Sequence, residues 1–254
     1  MITALGLFTV VPVPARPSLD PAAARRAVRW LTLLGAGLGA VAALPLVAII
    51  EWAPQATLVG AGLAVALVAL ATRGLHLDGL ADTADGLGSR APAERALAIM
   101  RQSDIGPFGV VTLVLVLLLD VAAVATVAAF AALHDSTWTP CAALAVAAAT
   151  GRLAVVHAAG TRPARPGGFG ALVHGGGRVV PAVLTVATLA AGAGLALAVG
   201  ASWWWWLGAQ VVALLVAAAL RAHTTRRFGG TTGDVFGALV ETATAVTLVG
   251  LCLR

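Results

Sequence analysis

The chain has 254 residues, 60% of them hydrophobic and 11% charged, with a net charge of +5 and a mean hydropathy of +0.96. Soluble globular domains carry about 25% charged residues, so these values exclude a soluble domain and describe a polytopic membrane protein, for which one membrane domain suffices. The basic balance reads as arginine-rich loops on one side of a bilayer, and not as a nucleic-acid surface.

There is no lysine, and Cys141 and Cys252 lie inside apolar runs, so no disulfide framework or metal cluster is expected. Residues 1–14 are apolar but too short to span as a helix. They lack a basic n-region and run into Pro12 and Pro14, so no cleavable signal is expected and an interfacial or re-entrant piece is. Asp20-Pro21 has the form of an N-cap followed by proline at the first helical position. Seven spans follow: Trp30–Ile50, Ala56–Thr72, Pro107–Leu133, Pro140–Gly160, Val179–Gly200, Trp203–Leu220 and Val235–Leu253. Pro92 and Glu94 open a short amphipathic helix between the second and third. The run Trp203–Trp206 reads as an interfacial belt, and Gly35 and Gly39, four apart, permit close helix packing. The fold class is therefore all-α, a polytopic bundle of about seven transmembrane helices.

With seven spans, segments 15–29, 73–106, 161–178 and 221–234 fall on one side, and they hold fourteen of the sixteen arginines. The positive-inside rule makes that side cytoplasmic and the site cytoplasm-facing. Arg16 to Arg29 serve as topology determinants at the lipid surface. Arg254 alone falls opposite, and Arg152 lies within a span.

The polar stretch 73–90 on that side interleaves Asp with Leu, Ala and Gly. As a helix it places Asp78, Asp82 and Asp85 at i, i+4 and i+7 on one face. Like charges that close need a cation between them, and hard oxygen donors point to Mg²⁺ or Mn²⁺. Asp234 and Glu241, seven apart, share a helical face as well, and a carboxylate two turns inside a span is costly without a partner. Arg73, Arg90, Arg101, Arg165, Arg226 and Arg227 can grip phosphate. The turns Gly167-Gly168-Phe169-Gly170 and Gly229-Gly230-Thr231-Thr232-Gly233 let backbone N–H groups approach an anion. Together these argue for metal-assisted chemistry on a diphosphate at a membrane surface. Arg152 stands open between a phosphate ligand and a structural partner of Asp120 or Glu241. Asp120 reads as a structural hydrogen bond or ion pair, His157 as a satisfied packing histidine, and His174 and His223 as solvated.

Asp82-x-x-Asp85-Gly86-x-x-Ser89-Arg90 is close to the opening of the CDP-alcohol phosphotransferase signature. The later aspartates of that signature would fall at Ser103 and Pro107, so its second half is absent. A resemblance covering nearly the whole chain is closer. His76-Leu77-Asp78-Gly79-Leu80-Ala81-Asp82-Thr83-Ala84-Asp85-Gly86, Glu94-Arg95-Ala96-Leu97, Ile99-Met100-Arg101 and Ile105-Gly106 resemble the cobalamin synthases, the adenosylcobinamide-GDP ribazoletransferases. Pro12-Val13-Pro14, Ala164-Arg165-Pro166-Gly167-Gly168, and Gly229 to Asp234 with Glu241 fit that pattern too. The family's Asp-Ser-Arg before Ile105 reads Gln102-Ser103-Asp104 here, and Asp104 is left out of the metal set.

The resemblance implies transfer of phosphocobinamide from adenosylcobinamide-GDP to α-ribazole or its 5′-phosphate, with release of GMP and with Mg²⁺ as cofactor. The expected metal set is Asp78, Asp82, Asp85, Asp234 and Glu241. Arg73, Arg165, Gly229, Gly230 and Thr232 are expected to bind the phosphates. Arg90 and Arg152 join the catalytic set, in which Asp78 or His76 takes the hydroxyl proton. The partners expected are the two small substrates and the lipid bilayer, with no nucleic acid; homo-oligomerisation is left open.

Overall fold

A computed structural model of the chain describes residues 1–14, 19–134, 136–175 and 177–253. Arg16 and Arg254, counted above among the loop and terminal charges, lie outside the described residues. The described residues form helices α1 (Ile2–Phe8), α2 (Pro21–Ala42), α3 (Leu44–Trp52), α4 (Thr57–Ala71), α5 (Leu75–Gly88), α6 (Ala93–Ile99), α7 (Pro107–Leu133), α8 (Thr139–Ala158), α9 (Gly168–Val173), α10 (Val179–Ala198), α11 (Trp203–Phe228) and α12 (Gly233–Cys252). Among these residues the sole β feature is a parallel bridge between Pro163 and Thr231. Seven helical stretches are long and apolar enough to cross a membrane: α2 with α3, α4 with the turn before it, α7, α8, α10, α11 and α12.

The first span begins where the cap predicts. Ala23 N–H donates to Asp20 Oδ1 (2.7 Å), with Pro21 in the first turn. It breaks at Ala43 because Pro45, in the first turn of α3, has no N–H for the carbonyl four residues back. The Pro21–Trp52 span is thus longer at its start than its apolar core suggests. The N-terminal piece is a seven-residue helix, α1, whose Ala4 and Phe8 are buried. It packs on α2 and does not span.

α8 is the axis of the bundle. Its span is 89% buried and that of α12 is 67%, whereas no other span exceeds 33%. Alanine makes this affordable, since small side chains let neighbouring backbones come close. A Cβ at Gly35 of α2 would sit 2.5 Å from Ala148 O, and one at Gly39 would sit 2.6 Å from the Leu144 carbonyl carbon. Two glycines one turn apart therefore let α2 lie directly on α8.

Two expectations change in the structure. Trp203 and Trp204 are exposed, as a belt requires, but Trp206 is fully buried and Trp205 Nε1 donates to Gly250 O (2.8 Å). A run of four on a helix faces all directions, so half of it turns inward against α12. The other is α11, which continues two turns past Leu220 to Phe228, placing Arg221, Arg226 and Arg227 on a helix. Gly229 ends it in the left-handed region, at φ 80°.

Candidate active site

The Asp-rich stretch is a 14-residue helix, α5, between the second and third spans. It lies against α12, and the contact is made by two glycines. A Cβ at Gly79 would fall 2.6 Å from Asp234 O and 3.1 Å from Gly237 Cα; one at Gly237 would fall 2.8 Å from His76 O. Backbone meets backbone, and Asp78 and Asp82 arrive beside Asp234 as a consequence. Asp78 is exposed, while Asp82 and Asp234 are half-buried.

The partner loop is brought in by main-chain pairing. Thr231 N–H donates to Arg162 O (2.9 Å) and Ala164 N–H to Thr231 O (3.0 Å). Gly230 permits this, since a Cβ there would meet Ala164 N and Arg162 O at 2.5 Å. Arg165, just beyond the bridge, then reaches Asp234, its Nη2 donating to Oδ2 at 3.2 Å. Thr232 caps α12 by accepting from Val235 N–H (3.2 Å), and its hydroxyl donates to Asp234 Oδ2 (3.1 Å). Gly229, Gly230 and Thr232, expected at the phosphates, have these local duties in the structure.

The charges explain the state of Asp82. Burial comes first, then negative Asp78, Asp234 and Asp85, against a downward pull from Arg165; its carboxyl is pushed from the usual 3.8 up to about 7. A carboxylate crowded in this way gains most from a cation. Asp78, Asp82 and Asp234 supply the hard oxygen donors that Mg²⁺ takes, although among the described residues no three His, Cys, Asp or Glu side chains form a ready-made metal cage.

Asp85 stands differently from its two neighbours. Gly106 N–H donates to its Oδ2 (2.8 Å) and Gly109 N–H to its Oδ1 (2.9 Å). It thus closes the N-terminus of α7, supplying the anion that a helix start favours. Glu241 and Arg152 also stand apart. Seven residues along a helix is a rise of about 10 Å, which carries Glu241 down from Asp234 into the bundle. There it faces Arg152 across a cavity of about 30 Å³, lined also by Asp120 and Thr244. That is room for about two waters, and Arg152 Nη2, Asp120 Oδ1 and Thr244 Oγ1 have no protein partner.

His76 and Asp78, the two expected bases, point opposite ways. His76 is buried, with Nδ1 unpartnered. Burial and then Arg152 hold its imidazole well below its ordinary value. Arg73 donates to Leu7 O (3.2 Å) and so ties α1 to the start of α5. Arg90 is exposed at φ 51°. Sequence reasoning missed the Gly79–Gly237 crossing and the amides on Asp85. The only signals for them are one of the three glycines on each helix and a Gly-x-x-Gly at the start of α7.

The profile of the cobalamin-5-phosphate synthase family matches residues 1–252. The chain belongs to that family. Adenosylcobinamide-GDP ribazoletransferases are among its relatives: one from Frankia casuarinae is 40% identical over 99% of this chain and 93% of its own length. Those from Nocardioides sp. and Klebsiella pneumoniae are 38% and 36% identical, over 99% and 98% of this chain and 97% of each relative. No solved structure matches the chain. The cobalamin-5-phosphate synthase match takes in α5, the Arg165 loop and the start of α12 together.

Asp82 gives this site a pH signature. The unfolded chain loses the Asp82 proton near pH 4 and the folded chain keeps it to about 7. The folded state binds more protons across that window, so stability falls as pH rises through it. In metal-free detergent the thermal midpoint of the wild type should drop between about pH 5 and about pH 8 more steeply than that of Asp82→Asn. At the upper pH the variant should be the more stable protein. Identical pH profiles would remove Asp82 from the role of strained carboxylate.

Proposed function

We propose that this chain is an adenosylcobinamide-GDP ribazoletransferase, a Mg²⁺-dependent enzyme in the cell membrane with its site facing the cytoplasm. The family match over residues 1–252 carries the reading, and the acidic face at the arginine-rich end supports it. The acceptor is α-ribazole or its 5′-phosphate. Its ribose 3′-hydroxyl attacks the phosphorus bonded to the cobinamide side chain. The new O–P bond forms as the bond to the bridging oxygen breaks, and GMP leaves with that oxygen.

Asp78, Asp82 and Asp234 would hold the Mg²⁺, which would supply neutralisation of charge on the diphosphate and the departing GMP. Asp85 positions α7 through its two amide bonds and Glu241 belongs to the interior, so neither is assigned to the metal. Asp78 is the exposed carboxylate of the face, and its oxygen left free of the metal would take the hydroxyl proton. His76 is buried and so is not assigned the proton, and Arg152 keeps a structural role beside Glu241. Arg165, half-engaged by Asp234, and exposed Arg101 and Arg90 supply the phosphate grip. Thr232 fixes the orientation of Asp234, and Gly229 and Gly230 hold the loop that carries Arg165.

Purified protein given adenosylcobinamide-GDP, α-ribazole and Mg²⁺ should release GMP in step with corrinoid product. EDTA should stop the reaction and Mg²⁺ should restore it. Asp82→Ala should lower turnover roughly a hundredfold or more with membrane insertion intact. Near-normal turnover of that variant at saturating Mg²⁺ would defeat the metal assignment. Product from CDP-diacylglycerol and a small alcohol, with none from the corrinoid donor, would defeat the substrate assignment.

The orientation rests on the fourteen arginines that the order of spans assigns to one side. Reporter fusions after Thr137 and after Gly168 should report opposite faces, with Gly168 cytoplasmic. Matching signals would contradict the alternation of spans.

A further inference from the structure

A second charged feature lies at the same end of the bundle, away from the carboxylates. A cavity of about 840 Å³ opens between the start of α2, the end of α8, the start of α10 and the end of α11. Arg25, Arg29, Arg178, Arg221 and Arg226 line it, together with His157, and among the described residues no acidic one does. Among the described residues the one ion pair within 4 Å is Arg165–Asp234, so none of these five guanidinium groups is neutralised in that way. Arg221 is held in place, its Nη1 donating to His157 O (2.8 Å), and His157 Nε2 pairs with Thr185 Oγ1 (2.8 Å). Five arginines around an opening with no carboxylate are an anion receptor in search of its anion.

The cavity does not end at the polar boundary. Below it a groove of about 530 Å³ continues between the same helices α2, α8 and α10, and Arg29 lines both. The groove walls are Trp30, Leu33 and Ala36 of α2, Ala145, Val146 and Ala149 of α8, and α10 from Leu184 to Leu195. Along α10 those eleven steps rise about 17 Å, about the depth of one leaflet of a ~30 Å hydrocarbon core. Trp30 and Leu33 on its rim are exposed. Trp30 beside Arg29 is the side chain expected where hydrocarbon meets headgroup.

We propose that this cavity and groove form a binding site for an anionic glycerophospholipid. The phosphate sits among the arginines and an acyl chain lies along α10. The order with depth carries the assignment. Basic side chains stand at the headgroup level, the aromatic residue at the boundary, and small apolar side chains below, as basic pockets between transmembrane helices hold anionic headgroups. A soluble phosphate or nucleotide would use the cavity and leave the groove idle. The site is separate from the carboxylate face and does not depend on what reaction that face performs.

Native mass spectrometry tests this on the whole protein in detergent, with equal amounts of phosphatidylglycerol and phosphatidylcholine of the same chain length. The wild type should retain the anionic lipid over the zwitterionic one by about tenfold. Arg29→Gln with Arg178→Gln should abolish that preference. Ala187→Trp, which fills the groove and leaves the arginines, should reduce phosphatidylglycerol retention, and glycerol phosphate should not compete. Equal retention of both lipids by the wild type would overturn the proposal, and needs no variant to fold. Displacement of the lipid by GMP at matching concentration would overturn it as well, giving the cavity to the nucleotide.

Discussion

The polar end of this bundle depends on two glycines that touch. Gly79 on α5 and Gly237 on α12 leave no space for a Cβ on either helix. Their contact sets how α5 lies across the start of the last span. From it follow the crowding of Asp78 and Asp82 against Asp234, the raised proton affinity of Asp82, and the use of Arg165 as a counter-charge. A larger residue at either place would leave every carboxylate in the sequence and separate them in space. Helix packing in a membrane commonly uses small residues for close approach. Here the same device assembles acidic side chains against their mutual repulsion.

Much of this could be read from the chain and some could not. The seven spans follow from hydropathy, and the Asp20-Pro21 start and the helical Asp stretch follow from local rules that tertiary context left intact. The roles of single carboxylates did not follow. Helical spacing puts Asp78, Asp82 and Asp85 on one face only to within the width of that face. Asp85 is only about 20° around α5 from Asp78 but about 10 Å further along it, where it meets the amides of Gly106 and Gly109. Asp234 and Glu241 share a face too, but the rise between them separates the mouth from the interior. Periodicity gives direction around a helix; depth and partners come from the neighbouring helices. Trp206 makes the same point, since its place in a run of four suggested an interface and its neighbours make it core.

The bundle keeps two ionic regions apart. One is the open face of Asp78, Asp82, Asp234 and Arg165, where water and a metal ion can reach the charges. The other is the enclosed set of Asp120, Arg152 and Glu241, packed by α7, α8 and α12 around a cavity of about 30 Å³. Charges so placed are held by each other and by whatever polar atoms share the space. Buried His76, whose carbonyl lies against Gly237, stands between the two regions on α5. Removing charge from the inner set would be felt as lost stability, while removing it from the outer face would be felt at the site.

We infer that a divalent-cation site here would need the Gly79–Gly237 contact and not merely the presence of three aspartates. Mn²⁺ binding followed by electron paramagnetic resonance tests it most directly in the purified wild type and in Gly237→Val, whose carboxylates are all retained. A bound-Mn²⁺ signal is expected in the wild type, lost in Asp82→Asn and equally lost in a Gly237→Val protein that is still monodisperse. Wild-type Mn²⁺ affinity in Gly237→Val would contradict it.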